Sequence, residues 1–193
     1  MRTDAELIEC AQKGDEQAFT ELVDRYQNKV YGTAVRMLGD REEALEAAQE
    51  VFLRVWTHLA TIRAGTNFGA WLYRITANHA VDLLRRRPAL APVELDEEST
   101  QVIEMNFQDR TLTPRQVYAQ QELKDRVQRA MQLLSPQQKA VFVLRHYQSL
   151  KLSEIADVLN ISIGTVKATL HASLERLRVE LSEKKSSVLR EVR

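Results

Sequence analysis

Basic and amide side chains with the potential to bind nucleic acid are concentrated between residues 61 and 87. This span contains five arginines, three of them consecutive at Arg85–Arg87, and one aspartate, Asp82. Guanidinium groups bind phosphates, and unpaired bases stack on aromatic rings or hydrogen-bond to amides. The stretch therefore favours a surface for single-stranded or melted DNA. The alternative is that its aromatic rings only pack a core, and for Trp71 we favour that interpretation.

A second candidate DNA-binding element lies between residues 152 and 177. Two short helical patterns are separated by Asn160, which tolerates a positive φ, and Ser162 can cap the second helix. The inward-facing residues are Leu152, Ile155, Ala156, Leu159, Ile161, Val166, Leu170, Leu174 and Leu177. The pattern predicts a helix-turn-helix that presents its second helix to the major groove, the alternative being a plain helical hairpin. The outward-facing side chains are Thr165, Lys167, Ala168, Thr169, His171 and Ala172.

The sequence lacks the residue patterns that are typical of catalytic and metal centres. No glycine-rich phosphate loop and no nucleophile constellation occurs. The histidines lie on separate predicted helices without metal-ligand spacing, at His58, His79, His146 and His171. We therefore predict no enzyme activity, no metal and no cofactor.

The elements that must position these residues are helices. Apolar residues recur at three- and four-residue steps, and the 193-residue chain has only six glycines and four prolines, so we predict an all-α protein. Helices are predicted to begin at Asp15, Asp40 and Ser135 and to end at Gly14 and Gly39. The helix after Asp40 has an apolar stripe of Leu45, Ala48, Phe52, Val55, Trp56 and Leu59.

The sequence changes character between residues 88 and 112. Two prolines interrupt the helical periodicity, and six carboxylates there face one arginine, Arg110. Such a stretch is typical of a flexible linker. We therefore predict two small helical domains at 1–87 and 113–183, joined by an acidic linker at 88–112 and followed by a polar tail at 184–193.

Charge and apolar content limit the class of protein. The 27 basic and 27 acidic residues cancel, which argues against a nonspecific nucleic-acid coat but not against a local basic face. No apolar stretch approaches a membrane span, so we predict no membrane insertion. Cys10 is the only cysteine, which excludes an internal disulfide and fits a cytoplasmic protein.

Together, these segments resemble a bacterial sigma factor of the extracytoplasmic-function (ECF) family. The resemblance covers about Asp4 to Leu181, with two motif blocks in the family's order and at its separation. The segments that carry it are AAQEVFLRVW, FGAWLYRITANHAVDLLRRR and LSPQQKAVFVLRHYQSLKLSEIADVLNISIGTVKATLHASLERLR.

The resemblance implies a role for each half and for the partners. The first domain resembles the one that binds the clamp helices of core RNA polymerase and melts the −10 promoter element. The second resembles the domain that reads the −35 element and sits on the polymerase flap. The linker is then expected either to thread the RNA channel, its carboxylates imitating RNA, or to act only as a solvated tether. Core RNA polymerase, promoter DNA and an inhibiting anti-sigma factor are the implied partners.

The resemblance also assigns residues. Glu46 stands where the family usually has aspartate. The implied polymerase-binding residues are Glu46, Gln49, Glu50, Leu53 and Arg54. The loop at 62–68 matches the family's base-capturing loop. The implied −10 residues are Thr66, Asn67, Phe68, Arg74, Asn78, Arg85, Arg86 and Arg87. The implied −35 residues are Ser162, Thr165, Lys167, Ala168, Thr169 and His171.

The recognition helix departs from the family at two positions. Family members commonly have arginines near positions 169 and 172, where this chain has Thr169 and Ala172. Each lost bidentate arginine–guanine pair removes about 1–3 kcal/mol of discrimination. We expect −35 reading by shape, thymine-methyl contact and phosphate anchoring.

Two other functions remain open from the sequence. A stand-alone helix-turn-helix regulator would bind duplex DNA alone, typically as a dimer on a palindrome. A diverged family member could act as a decoy or adaptor, and the departures at Thr169 and Ala172 leave room for it.

Overall fold

The computed structural model describes residues 2–63, 66–87 and 126–191, with side chains up to residue 182. Helices α1 (Asp4–Gln12), α2 (Glu16–Leu38), α3 (Arg41–His58) and α4 (Phe68–Arg86) form the first half. The second half contains a helical stretch at 126–132, followed by α5 (Pro136–His146), α6 (Leu152–Leu159) and α7 (Ile163–Glu191). No strand occurs in these ranges, so the all-α prediction is confirmed for them. The predicted linker at 88–112 and the predicted start of the second domain at residue 113 lie outside the described residues.

Side-chain caps and glycines set the helix ends that the sequence predicts. The carboxylate of Asp15 accepts from the backbone N–H of Ala18 at 3.0 Å, and that of Asp40 from the N–H of Glu43 at 2.9 Å. A capping box joins Ser135 to Gln138 at the start of α5. Gly39 ends α2 with a φ of +79°, a conformation that costs other residues a steric penalty. These helix boundaries are confirmed.

The first half is a helical bundle with its own core. Leu7 of α1, Leu22 of α2, Val51 of α3 and Leu72 of α4 are fully or almost fully buried in one cluster. Phe68 lies in the same cluster, edge-on to the ring of Tyr26 at 5.3 Å. This packing fixes α3 and α4 side by side.

The second half is built around the helix-turn-helix. Ile155 of α6 and Val166 of α7 are fully buried against residues of α5 such as Val141 and Leu144. Buried residues of α2 and α4 belong to this same cluster, so the two halves pack on each other. The prediction of two domains joined by a linker did not include that contact. No helix in the described part of the chain is both long and apolar enough to cross a membrane.

Candidate nucleic-acid interface

A tight turn holds α6 and α7 in the geometry of a helix-turn-helix. Asn160 adopts a φ of 52°, and the N–H of Ile161 donates to the carbonyl of Ala156 at 3.0 Å. The Ser162 hydroxyl accepts from the N–H of Thr165 at 3.0 Å and caps α7. The turn that the sequence predicts is therefore confirmed, and it leaves the N-terminal turns of α7 accessible.

The accessible face of α7 is polar but carries few cations. Lys167 is its only lysine or arginine before Arg176, and the hydroxyls of Ser162 and Thr165 are 2.8 Å apart. Thr169 is half-buried. The exposed side chains on this face are Ser162, Thr165, Lys167, Ala168, His171 and Ala172. Hydroxyls and free N–H groups at a helix N-terminus bind phosphate, and methyl groups can contact thymine.

One inward position of α7 differs from the prediction. Ser173 is fully buried, whereas Leu174 is exposed, so the prediction for Leu174 is wrong. The Ser173 hydroxyl donates to the carbonyl of Thr169 at 2.7 Å. A small residue whose hydroxyl bonds to its own helix allows α7 to approach α5 closely. Serine is polar, so Ser173 did not appear to continue the apolar stripe of α7. The periodicity therefore indicated the neighbouring Leu174 as the inward residue.

The outer face of α4 carries the predicted phosphate-binding arginines and the predicted base-reading amide of Asn78. Arg74, Asn78, Arg85 and Arg86 are exposed on it. Arg87 is half-buried and donates to the carbonyl of Leu38 at 3.1 Å as well as pairing with Glu43. Four of the five side chains are therefore free of the core, and the fifth also ties the end of α4 to α2 and α3.

The loop before α4 is partly engaged in the fold. Thr66 and Asn67 are exposed, and the Asn67 side-chain oxygen accepts from the N–H of Ala70 at 3.1 Å. Phe68 is 2% exposed and stacks on Trp71 at 5.9 Å. Its ring is not accessible to a base in this conformation, so a DNA contact by Phe68 stays a prediction. Trp71 is half-buried against the core, as preferred from the sequence.

An exposed apolar strip on α3 accompanies the predicted polymerase-binding residues. Leu53 is 58% exposed and Leu45 54% exposed. Leu45 borders a groove of about 560 Å³ between α2 and α3, with Gln49 and Phe52 also lining it. Leu45 and Trp56 belong to the apolar stripe predicted for this helix, and both are exposed. The sequence did contain a signal for this exposure, because α3 has more apolar residues than one buried helix face can hold.

The charged residues of α3 lie next to α4. Arg54 donates to the Glu50 carboxylate at 2.7 Å, which lowers the pKa of Glu50. Burial lowers the pKa of His79 on α4, and the nearby Arg54 lowers it further. The predicted polymerase surface and the predicted −10 surface therefore adjoin. Within the described part of the chain, no three His, Cys, Asp or Glu side chains are placed to hold a metal ion.

Comparisons with known proteins identify both halves. The family description "Sigma-70 region 2" matches residues 22–88, and "Sigma-70, region 4" matches residues 124–177. The ECF RNA polymerase sigma factor SigW of Bacillus subtilis is 34% identical over 179 residues, covering 91% of this chain and 95% of SigW. This chain belongs to the ECF sigma factor family. The RNA polymerase sigma-H factor of Pseudomonas aeruginosa is 30% identical over 90% of this chain and 91% of its own length.

Solved structures share the fold of this sigma factor. CnrH, in a complex with the cytosolic domain of CnrY, aligns with a TM-score of 0.66 and 23% identity over 93% of this chain and 97% of that one. The sigma factor RpoE of Bartonella quintana, in a complex with the anti-sigma factor NepR, aligns with a TM-score of 0.62 and 21% identity over 85% of this chain and 96% of that one. Because the family models and the similarity to SigW place the chain in the sigma factor family, it is a transcription initiation factor and not an enzyme, and the stand-alone regulator is excluded.

Proposed function

We propose that this sigma factor places its two halves on the −10 and −35 elements of one promoter while α3 binds core RNA polymerase. The match of sigma-70 regions 2 and 4 to the two halves carries this proposal. The proposal includes domain limits of 1–87 and 113–183 and a cytoplasmic location for the protein. Run-off transcription by core polymerase on a library of randomised promoters tests it. Enriched transcripts with paired elements are expected, and core binding without any transcript would favour a decoy.

The polymerase surface on α3 is proposed to comprise Glu46, Gln49, Glu50, Leu53 and Arg54. The strongest support is the exposure of Leu53 beside charged residues, because an apolar side chain within a polar rim is typical of interface centres. We expect Leu53→Ala to weaken core binding about tenfold, as a central residue costs more than about 1 kcal/mol. Leu133→Ala is the matched control, since Leu133 is an exposed leucine of the second half. Equal affinities of the two variants for core polymerase would show that Leu53 does not belong to the polymerase-binding surface.

The −10 surface is proposed to run along α4 and the loop that precedes it. Arg74, Arg85 and Arg86 are available for phosphates, and Asn78 offers an amide to an unpaired base. We expect Asn78→Ala to change the bases selected at −10, whereas Arg86→Ala weakens all promoters alike. The promoter library, transcribed by each variant, separates these effects.

The −35 surface is proposed to be the N-terminal part of α7. Its side chains supply one ammonium group, hydroxyls and the methyl groups of Ala168 and Ala172, and they supply no guanidinium fork before Arg176. We expect a −35 consensus with little dependence on guanine. Thr169→Arg should add a preference for guanine of about 1–3 kcal/mol at one position. A guanine-dependent consensus of the unmodified protein, lost in Lys167→Ala, would contradict this account.

We also infer regulation by an anti-sigma factor. The supporting observation is that RpoE, a structural neighbour, was solved in complex with the anti-sigma factor NepR. A protein that co-purifies with this chain, lowers run-off transcription and competes with core polymerase would fulfil the expectation. A co-purifying protein that leaves transcription unchanged would contradict this inference.

A further inference from the structure

The loop before α4 is held at its far end by a cap and at its start by a residue of α1. At the far end, the Asn67 side-chain oxygen accepts from the N–H of Ala70 at 3.1 Å. At the start, the side-chain amide of Gln12 donates to the carbonyl of Leu59 at 2.9 Å and to that of Ile62 at 2.9 Å. Gln12 and Ile62 are 50 residues apart in the chain, so this contact ties α1 to the loop.

The rest of α1 keeps Gln12 in a fixed place. The helix begins with a capping box between Thr3 and Glu6, and Gln12 is its last residue. Leu7 and Ala11 are buried in the core of the first half. Because both ends of this nine-residue helix are anchored, the amide of Gln12 is presented to the loop by a rigid element.

The two hydrogen bonds set the direction in which the chain enters the loop. One turn of 3₁₀ helix, Leu59–Thr61, comes directly before it. The N–H of Ile62 donates to the carbonyl of Leu59 at 3.1 Å, and Ile62 itself is extended, with a φ of −72° and a ψ of 120°. A primary amide has two hydrogens, and Gln12 donates to two carbonyls. One side chain therefore fixes both carbonyls at the junction between the turn and the loop.

Burial of the neighbouring apolar side chains does not provide the same constraint. Leu59 is 5% exposed and Ile62 8% exposed, and both belong to the core cluster of the first half. The hydrophobic effect is non-directional, so it holds these side chains without fixing how their carbonyls are turned. Hydrogen bonds depend on angle, and those from Gln12 therefore fix the path of the chain after Ile62.

We infer that Gln12 is a positioning residue for −10 recognition, because its hydrogen bonds to Leu59 and Ile62 hold the loop before α4 in the conformation that receives an unpaired base. The inference rests on the proposed −10 function of that loop. Thr66, an exposed residue proposed to contact DNA, follows shortly after Ile62, and its N–H donates to the carbonyl of Arg63 at 3.1 Å. Gln12 acts on the base only through the loop.

Loss of this positioning should affect some promoters more than others. A promoter with the preferred −10 base gains binding energy when the loop captures that base, whereas a promoter with another base gains little. A misplaced loop therefore weakens the preferred promoters and leaves the others nearly unchanged. Base preferences at −35, which the other half is proposed to read, should stay the same. A general loss of folded protein would instead lower transcription from all promoters alike.

Two substitutions of Gln12 separate the effect of the hydrogen bonds from that of charge. Gln12→Met keeps a similar length without a donor, and Gln12→Glu keeps the shape but presents carboxylate oxygens to the two carbonyls. Gln17→Glu is the matched control, because it makes the same chemical change at an exposed position of α2. Transcription of the randomised promoter library by each variant with core polymerase measures the base preference at every −10 position.

The variant Thr66→Ala identifies the −10 position that the loop reads. At that position, Gln12→Met and Gln12→Glu should each reduce the base preference about fivefold, and Gln17→Glu should leave it unchanged. Gln12→Met combined with Thr66→Ala should lose less than the two single effects together, because both act on one contact. A loss with Gln12→Glu alone would indicate repulsion of DNA by the new charge and would overturn the inference. An equal decrease at all promoters would also overturn it.

Amide hydrogen exchange, measured by NMR on the free protein, tests the same contact without DNA. In Gln12→Met, the N–H groups of Ile62 and Thr66 should exchange about tenfold faster than in the unmodified protein. The N–H of Gly39, which donates to the carbonyl of Val35 at 2.9 Å, should not change. Unchanged exchange at Ile62 and Thr66 would show that apolar burial alone holds the loop, and the inference would be rejected.

Failure of the proposed function would look different. If Thr66→Ala changed no −10 preference in the library, the loop would not read a base, and the inference on Gln12 would fail with that assignment. If Thr66→Ala changed a preference and neither Gln12 variant did, only the positioning role of Gln12 would be rejected.

Discussion

Replacement of the buried Lys139 tests the energetics of the second half most directly. Lys139 is 4% exposed in the first turn of α5, and its ammonium group donates to Gln132 Oε1 at 2.7 Å. Burial, followed by the charge of Arg87, lowers the pKa of Lys139 from 10.5 to about 8. This lowering corresponds to about 3 kcal/mol, at about 1.4 kcal/mol per pKa unit. The lysine is charged at pH 7, so the native protein bears that cost there.

Lys139→Met keeps an unbranched side chain of similar length and removes the charge. Loss of the hydrogen bond to Gln132 costs about 1 kcal/mol. We therefore expect the free energy of unfolding at pH 7 to rise by about 2 kcal/mol. Urea denaturation followed by circular dichroism measures the difference.

The gain in unfolding free energy from Lys139→Met should decrease as the pH rises. Between about pH 8 and 10.5 the unfolded lysine keeps its proton while the native lysine has lost it, so the stability of the unmodified protein rises with pH. The methionine of the variant does not titrate, and the advantage of Lys139→Met should shrink as the pH rises from 7 towards 10. Exposed Lys167 provides the control, because Lys167→Met should change stability by less than about 0.5 kcal/mol. A loss of stability in Lys139→Met at pH 7, or a difference that does not vary with pH, would refute the reasoning.

Three further predictions concern core packing and helix ends. Phe68→Ala should cost about 3–5 kcal/mol of unfolding free energy because its ring is buried; a cost below about 1 kcal/mol in urea denaturation would mean that the ring is not packed. Ser135→Ala removes the cap of α5 and should cost about 1 kcal/mol, visible as a lower melting temperature, whereas an unchanged temperature would deny the cap any role. At Asn160, whose φ is 52°, alanine should cost about 1 kcal/mol and glycine less than about 0.5; equal stabilities of the two variants would show that the left-handed turn is not maintained.

Local signals in the sequence were sufficient for the elements and for the helix-turn-helix. Asp15, Gly39, Ser135 and Asn160 act through groups a few residues away, so their roles can be inferred from neighbouring letters. Long-range packing was not predictable in this way. Leu45 and Leu174 match the helical period of a core residue, but whether an apolar side chain is covered depends on which helix lies opposite.

The same limit explains what was missed at the interface between the halves. Arg36 is buried on α2, and its guanidinium lies 4.5 Å from the ring centroid of Tyr147, more than a hundred residues later. No residue near Arg36 in the sequence indicates this contact. The DNA-facing residues of α4 and α7 were easier to infer because exposure and charge are local properties. Their assignment to particular promoter bases still depends on the family resemblance and on the experiments proposed above.

The shared core also affects how the protein is made on the ribosome. The face of α4 that contains Ala77 and Val81 packs against helices of the second half, so a nascent chain that ends soon after α4 leaves part of that face bare. The 90 residues at 88–177 take about 5–20 s to synthesise at about 5–20 residues per second. For that interval the emerging polypeptide offers an apolar surface to chaperones and to neighbouring nascent chains.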